Sequence, residues 1–352
     1  MDKFTSIILS TILVLGIVLC WLKSKKKPLC VTLFVLITLI TFYVWLYLYC
    51  RHWYVVIFTA NNIGNQLASY YSAIYRGIKY ASPTCQEIKL QLLYLPKATC
   101  SILHALPRVI KFSDEIRNLV KACSVSTSYM LLLSYYTTAD HHNVFSILRP
   151  IIQETLFIAT QHIPTVTDDS NVVVHLRCSD SPFNRQRCYT FMKYAWMADI
   201  LKRTAVRLSI PVNSLKVKIL LCTKYRCFYP QEITDLYKQD VLDYLMETFG
   251  LEATITSSDL NSDFLTMLTT PVLASTGSSL SFFAGLGNNS EYVYLPSVIK
   301  NNLRRMLTSV LFWHPEQVYT TIPADTYRLM HEDVVDYADV KSVCKQLREP
   351  CF

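Results

Sequence analysis

Two long apolar runs open the chain, and short apolar runs separated by amphipathic stretches fill the rest. Residues 5–22 are almost uninterrupted in their apolar character, and residues 30–50 hold no charged side chain. Each run is about long enough to cross a hydrocarbon layer of roughly 30 Å, so both read as spanning helices. The first can instead serve as an uncleaved signal sequence, because Lys3 precedes it and no small-residue cleavage pattern ends it.

Beyond residue 51 the apolar pattern alternates between brief continuous runs, which suit buried strands, and helical periodicity. In the first half it predicts strands at 54–58 and 88–95, and helices at 65–80, 113–123 and 144–162. A polar, proline-marked stretch at 163–170 then reads as a linker. The second half predicts strands at 172–175, 216–222, 253–255, 272–274 and 292–295, separated by helices at 189–208, 232–249, 263–268 and 279–286. Strands alternating with helices build parallel sheets covered on both faces. The expectation is an α/β protein of two Rossmann-like, doubly wound domains, 52–165 and 170–340, facing across a cleft behind a transmembrane anchor at 1–51.

Charge orients the anchor. Residues 1–51 carry Lys3, Lys23, Lys25, Lys26, Lys27 and Arg51 against Asp2, which is +5 of the chain's net +8. A lysine cluster between two spanning runs is retained on the cytoplasmic side, so everything after Arg51 is expected in the lumen or outside the cell. The remaining +3 is too small and too dispersed to suggest a nucleic-acid partner. Of twelve cysteines, Cys20, Cys30 and Cys50 lie in the apolar runs, and nine fall in the part where disulfides can form. Cys222 with Cys227, Cys178 with Cys188, and Cys344 with Cys351 are close enough in sequence to pair, and each is equally readable as a buried free thiol. Asn288-Asn289-Ser290 is a glycosylation sequon, in keeping with a lumenal face.

Ligands of open parallel sheets bind beyond the carboxyl ends of the strands, so polar clusters there carry the functional signal. His175-Leu176-Arg177-Cys178-Ser179-Asp180 follows the run Val172-Val173-Val174. Arg177 offers a planar fork of donors suited to phosphate, and His175 can donate or accept beside it. Ser275-Thr276-Gly277-Ser278-Ser279 stands between a strand and a helix, where first-turn amides and hydroxyls suit phosphate oxygens. Asn61-Asn62-Ile63-Gly64-Asn65-Gln66 ends the first strand and opens the first helix. Each cluster also has a plain structural reading as a cap or turn. No G-x-S-x-G, Walker loop or G-x-G-x-x-G occurs, which removes the usual starting points for a hydrolase or P-loop assignment.

In this order the clusters resemble the motifs of fucosyltransferases, most closely the α1,2 group, with the α1,6 and protein O-fucosyltransferases as relatives. Ile63-Gly64-Asn65-Gln66-Leu67 is similar to the family's early Gly-Asn-Gln turn, and His175 to Asp180 to its His-x-Arg-Arg-x-Asp motif. Asp263-Phe264-Leu265, followed by Ser278-Ser279-Leu280-Ser281-Phe282-Phe283, resembles its final stretch. The resemblance implies the two-domain GT-B fold and a Golgi or other secretory-pathway membrane, with GDP-fucose as donor and a glycan or glycoprotein as acceptor. It implies that Arg177 binds the diphosphate, His175 and Asp263 contact the guanine end, Ser278 and Ser279 hold phosphate oxygens, and Asn65 lies across the cleft near the reacting sugar or the acceptor. Cys178 stands where the family has a second Arg.

Sugar transfer must stabilise charge growing on the leaving diphosphate, by a divalent metal or by fixed cations and helix amides. No Asp-x-Asp occurs, so no metal ligand set is expected, and Arg177 with the Ser275, Gly277, Ser278 and Ser279 turn is the metal-free solution. Asp180 is the nearest acid that can serve as a base, or it is a loop hydrogen-bond partner. The competing expectation is a membrane-tethered nucleotide-sugar or glycan-binding protein of the same fold without turnover.

Overall fold

The computed structural model describes residues 53–58, 63–94, 101–123, 139–164, 169–176, 193–221, 231–256, 259–275, 278–290, 292–300, 306–314, 317–323 and 340–349. The chain divides into two compact units, Met1–Tyr54 and Val55–Phe352. Only Trp53 and Tyr54 of the first unit are described, so the expected spans at 5–22 and 30–50 and the lysine cluster between them lie outside the described residues. Among the described residues no helix is long and apolar enough to cross a membrane.

The larger unit is α/β. Its amino-terminal part holds a sheet of order β1-β2-β3, made of β1 (Trp53–Phe58), β2 (Glu87–Tyr94) and β3 (Val109–Lys111). Ile88, Leu90 and Leu92 alternate inward along β2, and Ile88 stands opposite Ile110 in an antiparallel pairing with β3. Helix α1 (Ile63–Tyr80) buries Leu67, Tyr70, Tyr71, Ile74 and Ile78, a helical-period stripe that explains why this segment coils rather than extends. After the short α2 (Ser101–His104) comes α3 (Asp114–Ala122). Its cap, Ser113, accepts from the Ile116 amide, and Asp114 and Glu115 sit at the positive end of its dipole. The long α4 (Ala139–Thr160) completes this part.

The second sheet has seven strands in the order β10-β9-β8-β7-β4-β5-β6. Five of them, β4 (Val172–Leu176), β5 (Val217–Leu221), β6 (Ala253–Thr256), β7 (Val272–Ser275) and β8 (Tyr292–Lys300), are parallel neighbours and coincide with the five strands expected from sequence. All five residues of β4 are buried, as a strand covered on both faces requires. Antiparallel β9 (Met306–His314) and β10 (Gln317–Pro323) extend the edge beyond what the sequence pattern suggested.

Helices α5 (Tyr194–Leu208), α6 (Gln231–Phe249) and α9 (Val340–Arg348) share one core with Val172, Val174, Leu176, Val272 and Ala274. Each fully buried Val or Leu there contributes about 1.5–3 kcal/mol relative to exposure. Helix α6 ends at Gly250, whose φ of +62° is a left-handed cap that a side chain would strain. The opposite face carries α7 (Leu260–Thr269) and α8 (Ser279–Gly287).

Helix α9 is tied down by Arg348, which donates to Asp240 at 2.7 Å and Glu247 at 2.6 Å, while Tyr194 donates to the other oxygen of Asp240 at 2.7 Å. Cys344 lies in this contact as a buried free thiol, pushed up to about 12 by burial and then by the Asp240 carboxylate. Of the two readings open for Cys344, pairing with Cys351 or a buried free thiol, the structure has the second: the helical period turns its side chain into the α6 interface. Cys351, Cys178, Cys188, Cys222 and Cys227 lie outside the described residues.

Candidate functional site

The parallel strands are laid down outward from β4 through β5 to β6, and the chain then returns to place β7 and β8 on the other side of β4. The order reverses between β4 and β7. In open α/β sheets this switch point, at the carboxyl ends of the strands, is where the flanking loops diverge and leave room for a ligand. The two main polar clusters of the sequence end these two strands. His175 and Ser275 are direct partners in the β4–β7 register. Since Val172, Val174 and Leu176 face the α5–α6 core, alternation turns His175 and Ser275 to the face on which α7 and α8 pack.

Both residues are buried, Ser275 to 1% exposure. The Ser275 and Ser281 hydroxyls lie 2.5 Å apart, and Ser281 is 3.1 Å from the Ser278 carbonyl. A carbonyl has no proton to give, so Ser281 donates to it and Ser275 donates to Ser281. Ser275 thereby fixes the first turn of α8 to the end of β7, a positioning role that sequence reasoning did not assign. Ser278 caps α8, its hydroxyl accepting from the Leu280 amide at 3.2 Å. Thr276 and Gly277 lie outside the described residues.

The third cluster meets the second. A Cβ on Gly64 would overlap the carbonyl carbon and hydroxyl oxygen of Ser279 and come within 2.5 Å of the Leu280 nitrogen. Gly64 is thus a close-approach residue, in the first turn of α1 and pressed on the first turn of α8. Two helix amino-termini meet beside the end of β7, and each is the positive end of its helix dipole. The electrostatic result is a backbone environment that favours an anion. Asn65, half-buried next to this contact, accepts from Ser69 through its carbonyl at 3.2 Å.

Asp263 is in the first turn of α7, which packs on α8 and β4. The helix is capped by Asp259, whose carboxylate accepts from the Ser262 hydroxyl at 2.5 Å and from the amides of Asn261 and Ser262. The Ser262 hydroxyl bond, opposed by slight burial and aided by the amides, holds the Asp259 carboxyl below its ordinary range. Of the remaining expected site residues, Arg177 and Asp180 lie outside the described residues. Among the described residues, no group of three or more His, Cys, Asp or Glu side chains gathers to hold a metal ion.

An aromatic cluster built on the paired Phe282 and Phe283 supports α8 from behind. Phe283 stacks on Tyr71 of α1 at 5.4 Å, and Phe145 of α4 meets Phe282 and Phe283 edge-on, each at 5.5 Å. Tyr71 shares a 2.9 Å hydrogen bond with Thr155, and burial pushes its ionisation upward, so its hydroxyl is a neutral anchor and not a base. The paired Phe residues were visible in the sequence, but their partners lie far away along the chain.

No family model, curated protein or solved structure matches this chain.

Proposed function

We propose that this chain is a membrane-anchored glycosyltransferase that moves a sugar, fucose from GDP-fucose in the first instance, to a hydroxyl of a glycan or glycoprotein. The observation that carries the reading is the in-register pairing of His175 with Ser275 at the switch point, with Gly64 seated on the first turn of α8. Three clusters far apart in the sequence thereby converge where a nucleotide diphosphate is expected. In this reading the helix amides and Ser278 receive phosphate oxygens, while His175 and Asp263 line the base side. Arg177, which directly follows β4, is the fixed cation that stabilises the leaving diphosphate. Asn65 and the amino-terminal sheet belong to the acceptor half of a GT-B arrangement. A single displacement assisted by Asp180 inverts the sugar carbon, and a sequence without Asp-x-Asp supports independence from metal. The lysine cluster supports a lumenal catalytic part in a Golgi or related membrane.

Cys178, in place of a second cation, supports the alternative that the protein binds a nucleotide sugar without turning it over. One experiment serves both readings. Purified full-length chain in detergent is titrated with GDP, UDP and CMP by thermal shift, and then assayed for transfer from GDP-fucose with a chelator present. Enzyme predicts selective stabilisation by GDP and chelator-resistant transfer, and the binding protein predicts stabilisation alone. Arg177→Ala and Arg177→Lys should both weaken GDP binding, by about 1.5–3 kcal/mol for the lost charge-assisted bonds, because lysine keeps the charge without the fork. Folded protein whose melting no nucleotide shifts would end both readings.

A further inference from the structure

We infer that Asn288, although it heads a glycosylation sequon, is a buried joint of the fold, and that its folded position and an attached glycan are mutually exclusive. Asn288 is 1% exposed and stands at the carboxyl end of α8. Its side-chain amide uses both protons, donating to the carbonyls of Met267 at 2.8 Å and Thr270 at 3.0 Å at the end of α7. Its side-chain oxygen accepts from the Ser290 amide at 2.6 Å and so shapes the turn into β8. Its own carbonyl accepts from Arg149 at 3.1 Å and Gln153 at 3.2 Å, both on α4. One residue therefore closes the ends of two helices, sets the entry to a strand and receives a third helix. The bonds to the Met267 and Thr270 carbonyls are buried, where an unpaired polar group is costly.

A glycan replaces one of the two amide protons and puts a large polar substituent at this nitrogen. In the fold that nitrogen lies between two carbonyls and away from solvent, so the sugar has no path outward. The hydroxyl that completes the sequon is also engaged: the Ser290 hydroxyl donates to the Pro271 carbonyl and accepts from the Tyr292 amide at 3.1 Å. Folding consumes the sequon. The proximity of Asn288 to α8 means that the same bonds hold the rear of the helix whose front lies at the switch point.

The joint is independent of where the chain resides, but the absence of a glycan is informative only if the proposed lumenal orientation holds. The full-length chain is therefore expressed in cells with a secretory pathway, carrying a second, exposed sequon made by Gln161→Asn with Ile163→Thr at the end of α4. The folded protein is treated with a glycosidase, and its melting temperature is compared with that of Asn288→Asp and Ser290→Ala. Expected are a mobility shift from the exposed sequon alone and a fall in melting temperature for Asn288→Asp at least roughly twice that for Ser290→Ala, since the former removes both buried amide donors. Ser290→Ala deletes the sequon yet leaves the amide bonds of Asn288 in place. A glycosidase-sensitive sugar on Asn288 of folded protein would overturn the inference, as would a Ser290→Ala fall equal to that of Asn288→Asp. If neither sequon is modified the lumenal orientation fails, and the melting comparison still decides the joint.

Discussion

Gly64 illustrates how one missing side chain can set the geometry of a site. Replacing glycine by alanine inside a helix ordinarily stabilises by up to about 1 kcal/mol. At Gly64 the added carbon meets the backbone of Ser279 and Leu280, which cannot rotate away as a side chain can. Overpacking of this kind costs about 1–3 kcal/mol and exceeds the propensity gain. Gly64→Ala is expected to lower the denaturant midpoint and to weaken nucleotide-dependent stabilisation, because the two helix starts must move apart. Gly287→Ala makes an internal comparison: its new carbon meets the Leu156 and Leu268 methyls at 2.6 Å, and these are ends of side chains that can yield. Chemical unfolding of the two variants should rank Gly64→Ala as the more harmful, and the reverse order would show that the close approach is not rigid. From sequence, Gly64 was legible only as a turn residue opening a helix, because its partner comes from the far end of the chain. His175 and Ser275 were legible as strand-end residues for a local reason: each follows a run of apolar residues. Their pairing required the sheet order, which no local pattern encodes.

Among the elements, the strands with the plainest signal were those buried on both faces, since β4 and β7 have no exposed position and each opens on a run of three apolar residues before its first polar one. The antiparallel edge and α9 were missed. The stripe Val340, Val343, Cys344 and Leu347 has helical spacing, but it spans only two turns and its meaning depends on the α6 groove that it fills. Helix α7 was legible with a displaced start, at Asp263 rather than Leu260, because two acids stand four positions apart and either can open a helix. The structure gives the cap to Asp259. This assignment has a pH signature. A carboxyl whose folded pKa is lowered stabilises fully above its unfolded value near about 3.9, and that contribution is lost as pH falls through the folded value. Asp259→Ala should therefore cost about 1 kcal/mol at neutral pH, the ordinary worth of an exposed cap. The gap between wild type and variant should narrow as pH falls below about 4, and melting curves recorded between neutrality and pH 3 would read it. A constant gap across that range would assign the cap to another group.

On the scale of the whole unit from Val55 onward, α8 belongs by sequence to the second sheet and by packing to both parts. Its amino end touches Gly64, its middle holds Phe282 and Phe283 among Tyr71 and Phe145, and its carboxyl end delivers Asn288 to Arg149 and Gln153. The sequence suggested a linker at 163–170 and two domains, 52–165 and 170–340, facing across a cleft. An interface whose centre is fully buried aromatic side chains is a core in its own right, and the parts that share it should lose it together. The expected behaviour is one cooperative transition for the unit from Val55 to Phe352 in calorimetry, with matching van't Hoff and calorimetric enthalpies. Phe283→Ala should lower that transition as a whole, by about 3–5 kcal/mol for a large aromatic removed from a packed interior. Tyr71→Phe keeps the stacked ring and loses only the bond to Thr155, so it should cost nearer 1 kcal/mol. Independent parts would instead give two transitions, of which Phe283→Ala moved one, and the shared core would then be refuted. A single transition would mean that a nucleotide bound at the switch point also stabilises α1 and α4, because α8 cannot be held without them.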